Sequence, residues 1–68
     1  MFDTKGMRQR IESSGIKQKV IAKKAGIPEP TLSLILRGKR KCEVGEYASI
    51  CAVLDVGIGE FLKQREPT

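Results

Sequence analysis

Residues 16–41, IKQKVIAKKAGIPEPTLSLILRGKRK, decide how this chain is read. Two short amphipathic stretches flank the turn Ala25-Gly26-Ile27, and a cationic cluster closes the segment. Gly26 supplies the left-handed conformation that lets a chain reverse after a helix without steric cost. Pro28 and Pro30 suit the first turn of a second helix, where backbone N–H groups have no intrahelical partner. Helices are therefore expected over 18–25 and from 28–30 to 36. Ile21, Ala22 and Ala25 share the inward face of the first, and Leu32 and Ile35 are inward on the second. Ile27 is expected to plug into the core from the turn, and Gly38 to end the second helix.

The same segment holds most of the charge. Eight of the thirteen basic residues lie in 17–41, with Glu29 as the only acid, giving +7. Residues 1–16 carry +1 and residues 42–68 carry −3, for a net +5. A helix, a tight turn, a second helix and basic flanks are what a protein needs to lay a helix in a DNA groove.

Outward from this centre, three more helices are expected. One covers 4–14, capped by Asp3 or Thr4, with Met7 and Ile11 at i, i+4 and Gly15 at its end. Another covers 44–54, where Tyr47, Ile50, Cys51 and Leu54 form an inward stripe at i, i+3, i+4, i+7. A last short helix over 59–63 offers Phe61 and Leu62 to the core, and residues 64–68 are expected to fray. The fold class is all-α, five helices in one domain over 1–68, with no repeat or linker.

Size and composition narrow the function. A chain of 68 residues buries a thin core. It holds two cysteines, Cys42 and Cys51, and no histidine. That excludes a four-ligand zinc site built from thiols alone, so no metal is expected. A disulfide is possible on paper, but nothing marks the protein as secreted. Cys51 reads as a small apolar residue on a helix face. No signal peptide is visible, and the longest apolar run, Leu34-Ile35-Leu36, is far too short to span a bilayer. The expectation is a cytoplasmic protein with no membrane contact, no cofactor and no small-molecule ligand. Dispersed acids and ordinary serines offer no acid–base or nucleophilic constellation, so no enzyme is expected. The basic balance points to a polyanion partner, double-stranded DNA above all.

In such an arrangement the second helix of the pair reads base edges. Its outward residues are Glu29, Pro30, Ser33, Leu34 and Arg37. Glu29 can accept from cytosine N4 or merely favour the helix dipole. Ser33 can bond a base or a phosphate. Pro30 and Leu34 can pack on a thymine methyl, and core packing is the alternative for Leu34. Arg37 reaches a guanine or a phosphate. Gln18, at the start of the first helix, suits a phosphate grip. Lys17, Lys19, Thr31, Lys39, Arg40 and Lys41 complete the backbone-contacting set, whereas Lys23 and Lys24 fit a solvated face.

The stretch Gln18-x-x-Ile21-Ala22-x-x-x-Gly26-Ile27, then Thr31-Leu32-Ser33-x-Ile35 and Arg37-Gly38-Lys39, resembles the helix-turn-helix domain of phage repressors and Cro proteins, the lambda-repressor-like family. Ile50-Cys51-x-x-Leu54-x-Val56-x-Ile58-x-x-Phe61-Leu62 is similar to that family's fourth and fifth helices. The resemblance implies a transcriptional regulator that binds a pseudo-palindromic operator as a homodimer. It places Gln18 on a phosphate, Glu29, Pro30, Ser33 and Leu34 toward the groove, and residues 38–41 on the backbone. Residues from Tyr47 to Phe61 are the expected dimer surface.

Three departures stand out. Glu, Pro and Leu occupy groove positions that are often Gln, Ser, Lys or Arg in the family. Ile11 and Leu36 stand where some members carry an Arg–Glu pair, so an apolar contact is expected there. Gly57 and Gly59 stand where Ser or Asp often caps the last helix, which should then be loosely held. Two rival functions remain at this level. One is a protein-interaction module of antirepressor or antitoxin type, favoured if Leu34 and Leu36 are both exposed. The other is a controller of restriction–modification or toxin–antitoxin genes.

Overall fold

Glycines end three of the helices, and Asp55 at φ 57° ends the fourth, in the computed structural model of the protein, which describes residues 2–62. The helices are α1 (Thr4–Ser14), α2 (Gln18–Ala25), α3 (Glu29–Leu36) and α4 (Val44–Leu54), followed by a 3-10 turn at Ile58–Phe61. The Asp3 carboxylate caps α1 by accepting from the Gly6 N–H at 3.0 Å. Gly26 ends α2 at φ 72°. The Ile27 N–H then bonds the Ala22 carbonyl at 2.9 Å, and the Gly26 N–H bonds that of Lys23 at 3.3 Å. This is a Schellman closure, which satisfies carbonyls the helix end would leave bare. Gly38 at φ 73° repeats it after α3, with Lys39 N–H on the Leu34 carbonyl at 2.8 Å.

The core draws on every element. Met7 and Ile11 of α1, Ile21 and Ala22 of α2, and Leu32, Ile35 and Leu36 of α3 are buried. So are Tyr47, Ile50 and Cys51 of α4, together with Ile27, Cys42 and Phe61. Ile27 does plug the core from the turn. Ile11 and Leu36 lie in the same apolar cluster, where an ion pair would have had to be desolvated. Cys42 and Cys51 are both buried free thiols. Burial pushes the Cys42 thiol up to about 11, which keeps it protonated and unreactive at neutral pH.

The expected fifth helix is not an α-helix. Residues Ile58–Phe61 form a single 3-10 turn, held by i→i−3 bonds from Glu60 to Gly57 at 3.1 Å and from Leu62 to Gly59 at 3.4 Å. The cap position is Gly57, which has no side chain to accept from the first turn. Leu62, expected inward, is 46% exposed, and Leu54 sits at the edge of the core rather than in it. The expected end of this helix at Lys63, and the tail over 64–68, lie outside the described residues.

Tyr47 holds the turn in place instead. Its hydroxyl donates to the Ile58 carbonyl and accepts from the Phe61 N–H at 3.1 Å. Its ring stacks on Phe2 with centroids 4.0 Å apart. The Asp3 N–H reaches the Phe61 carbonyl at 2.6 Å, and Phe2 bridges to Leu62 in antiparallel fashion. Arg10 adds an ion pair to Glu60 at 2.7 Å. No helix among the described residues is long and apolar enough to cross a membrane.

Candidate nucleic-acid interface

The α2–turn–α3 pair packs its inward face on α4 and α1 and leaves its outward face bare. On α3, Glu29, Pro30 and Leu34 are exposed, as is Arg37 just after it, and Thr31 and Ser33 are half-buried. Leu34 is 40% exposed whereas Leu36 is 3% exposed. Leu34 is thus not a core residue, and the double exposure that would mark a protein-docking face is not present. Arg37 is tethered: its Nη2 donates to the Ser33 hydroxyl at 3.0 Å.

The helix starts differ across the molecule. Those of α1 and α4 are closed by carboxylates, Asp3 on Gly6 N–H and Glu46 on Glu43 N–H at 3.0 Å. Those of α2 and α3 follow Lys17 and Pro28 and have no side-chain cap. In the first turn of α2 the N–H groups of Gln18 and Lys19 stay open, while that of Val20 bonds the Lys17 carbonyl at 3.0 Å. In α3, where Pro30 has no N–H, those of Glu29 and Thr31 stay open. An anion is the partner such groups favour. Gln18, half-buried, stands in the open first turn of α2. Glu29 is the first residue of α3.

Cations border this face on both sides. Lys17, Lys19, Lys23 and Lys24 lie on or beside α2, and Lys39, Arg40 and Lys41 on the loop after α3; all are exposed. Among the described residues the ion pairs are Arg8–Glu12, Arg10–Glu60 and Arg40–Glu46. Of the eight cations in 17–41, only Arg40 is paired with a carboxylate within the described residues. Seven positive charges therefore face solvent without local compensation, which produces a strong local potential.

Position alone groups Arg40 with the phosphate-contacting set. The structure gives its Nη1 to both oxygens of Glu46, at 2.9 and 3.2 Å, and to the Lys41 carbonyl at 3.2 Å. Glu46 in turn holds the Glu43 N–H. The Arg40 guanidinium, and then that N–H, keep the Glu46 carboxyl below its ordinary 4.5. This network pins the cationic loop to the start of α4. Sequence reading misses it because the partners are six residues apart across an irregular loop. The Ser33–Arg37 bond has a visible signal, an i, i+4 spacing on one helix face.

No group of three or more His, Cys, Asp or Glu side chains among the described residues could hold a metal ion. What the face offers is open N–H groups, unpaired cations and a short exposed helix with one acid, one tethered arginine and two apolar residues.

Residues 7–65 match the model of a family described as the Cro/C1-type HTH DNA-binding domain. Comparison with curated proteins and with solved structures gives no match.

Proposed function

Because the chain belongs to the Cro/C1-type helix-turn-helix DNA-binding family, we propose that it is a transcriptional regulator that binds an operator through the major groove. The supporting observation is the coincidence of seven unpaired cations with the two α-helix starts that, among the described residues, lack side-chain caps. In this reading α3 enters the groove with its N-terminal end toward base edges, and α2 crosses the backbone. Gln18 and the first-turn N–H groups of α2 hold one phosphate. Lys17, Lys19, Thr31, Lys39 and Lys41 hold others, with Arg40 bracing the loop. Glu29, Pro30, Ser33, Leu34 and Arg37 face the bases.

Phosphate contacts fix register and set salt dependence, whereas only base-edge contacts select a sequence. One short α3 reads few base pairs, so a homodimer on a pseudo-palindrome is part of the proposal. Ile58, 61% exposed, lies within the span expected to pair; Val44 and Leu62, also exposed, lie just outside that span in sequence.

The test is a salt titration of binding to random duplex, followed by selection of preferred sites. A steep salt slope with one enriched, two-fold symmetric sequence is the expected result. Absence of duplex binding near about 50 mM salt, a permissive condition, overturns the proposal.

A further inference from the structure

Four serines lie in the described chain, all on helices, and one behaves unlike the rest. Ser13, Ser14 and Ser49 donate their hydroxyl protons back to the carbonyls of Gln9, Ile11 and Gly45, at 2.8, 2.6 and 3.0 Å. That is the ordinary local bond of a helical serine, and it satisfies the hydroxyl within its own helix. Ser33 makes no such bond among the described residues. Its oxygen instead accepts from Arg37 Nη2 at 3.0 Å, one turn further along α3.

We propose that Ser33 is a positioning residue that aims Arg37 at a guanine, so that the two side chains read one base position as a unit. This rests on the DNA-binding reading above. Arg37 follows the last turn of α3, the end farther from the bases when a recognition helix enters by its N-terminal end. An untethered arginine there would sweep outward and find phosphate. The Ser33 bond draws the guanidinium back along the exposed face toward the start of the helix. It also fixes the plane of the fork. One Nη2 proton is used; the other, paired with the parallel proton of Nη1 or of Nε, remains for the bidentate contact with guanine O6 and N7 that arginine makes most often.

Neither side chain has a competing claim. No carboxylate pairs with Arg37 among the described residues. Glu29, the only acid on α3, stands two turns away at its start. A cation at a helix C-terminus gains from the dipole whether or not a hydroxyl holds it. The tether therefore adds direction rather than helix stability.

The experiment is site selection with the intact chain, followed by affinity measurements for single base changes. It compares the original with Ser33→Ala, Arg37→Ala and the double variant, each checked for folding by circular dichroism. Arg37→Ala should cost about tenfold or more in discrimination at one guanine. Ser33→Ala should lose a smaller part of it at that same guanine and nowhere else. The double variant should match Arg37→Ala alone, which is the non-additivity of a coupled pair. Effects at two different base positions, or effects that add independently, overturn the unit while leaving DNA binding in place. Selected sites with no Arg37-sensitive guanine overturn it equally. Failure of the unaltered chain to bind any duplex is the separate failure of the DNA-binding reading.

Discussion

The frame of α1, α4 and the 3-10 turn differs from the α2–α3 pair in how each disposes of its polar groups. The frame closes on itself. Its helix starts are capped by carboxylates, Glu12, Glu46 and Glu60 meet arginines, and the Tyr47 hydroxyl uses both its donor and its acceptor. The pair leaves comparable groups open: uncapped helix starts and lysines with no carboxylate partner among the described residues. A group satisfied internally contributes to folding, and a group left open contributes to binding. The two regions divide these tasks, so changes in the frame away from the exposed Ile58 surface proposed to pair should lower stability with little effect on affinity per folded molecule. Changes in the pair should do the reverse.

The hardest test of that division is Tyr47. Tyr47→Ala removes a fully packed ring and the turn's anchor, and should cost about 3–5 kcal/mol. Tyr47→Phe keeps the ring but strands the buried Phe61 N–H and the Ile58 carbonyl, for about 1–3 kcal/mol. Urea melts measure both. Tyr47→Phe, still folded, should bind duplex as the original does; a large drop in its affinity would break the division.

The reciprocal test is Lys39→Ala with Lys41→Ala. The stability read from urea melts should hold to within about 0.5 kcal/mol. Affinity should fall evenly across sequences, and the slope of log K against log salt should shallow by about 0.9 for each phosphate no longer neutralised. Unfolding by this pair of changes would show that the loop belongs to the frame. Gly26→Ala sharpens the boundary further. Open space surrounds that position, so only the φ of 72° resists a side chain. The cost should be about 1–2 kcal/mol, read from thermal melts.

Glu46 gives the smallest effect. Its carboxyl titrates lower in the folded protein than its ordinary 4.5, through Arg40 first and then the Glu43 N–H. The stability it adds is therefore whole above that value and is lost as pH falls through the lowered folded value. Screening keeps an exposed pair to about 0.2–1 kcal/mol. Glu46→Gln should flatten the acid limb of a pH–stability profile by that amount and leave neutral-pH binding to a duplex little changed.

The four α-helices are legible from sequence almost to the residue because periodicity and punctuation agree. Gly15, Gly26 and Gly38 end what apolar spacing begins, and Pro28 and Pro30 enter only where a helix tolerates them. The end of the chain is less legible. Spacing promises a helix at 59–63, but the glycines at 57 and 59 offer neither cap nor helix propensity, and one 3-10 turn forms. Contacts between distant residues are not legible at all. Phe2 on Tyr47, Arg10 on Glu60 and Arg40 on Glu46 depend on how elements pack, which no local pattern encodes. At the proposed interface the residue set follows from position alone. The pairing of Ser33 with Arg37 is signalled by its i, i+4 spacing, whereas the commitment of Arg40 to Glu46 needs coordinates.

The clasp between Phe2-Asp3 and Phe61-Leu62 has a consequence for exchange with solvent. Most amides here bond a carbonyl three to five residues away and can open with one turn of helix. The Asp3 amide bonds across nearly the whole chain, to Phe61. Deuterium enters it whenever the two ends part, so its exchange reports how often that clasp opens, whether or not the helices unfold.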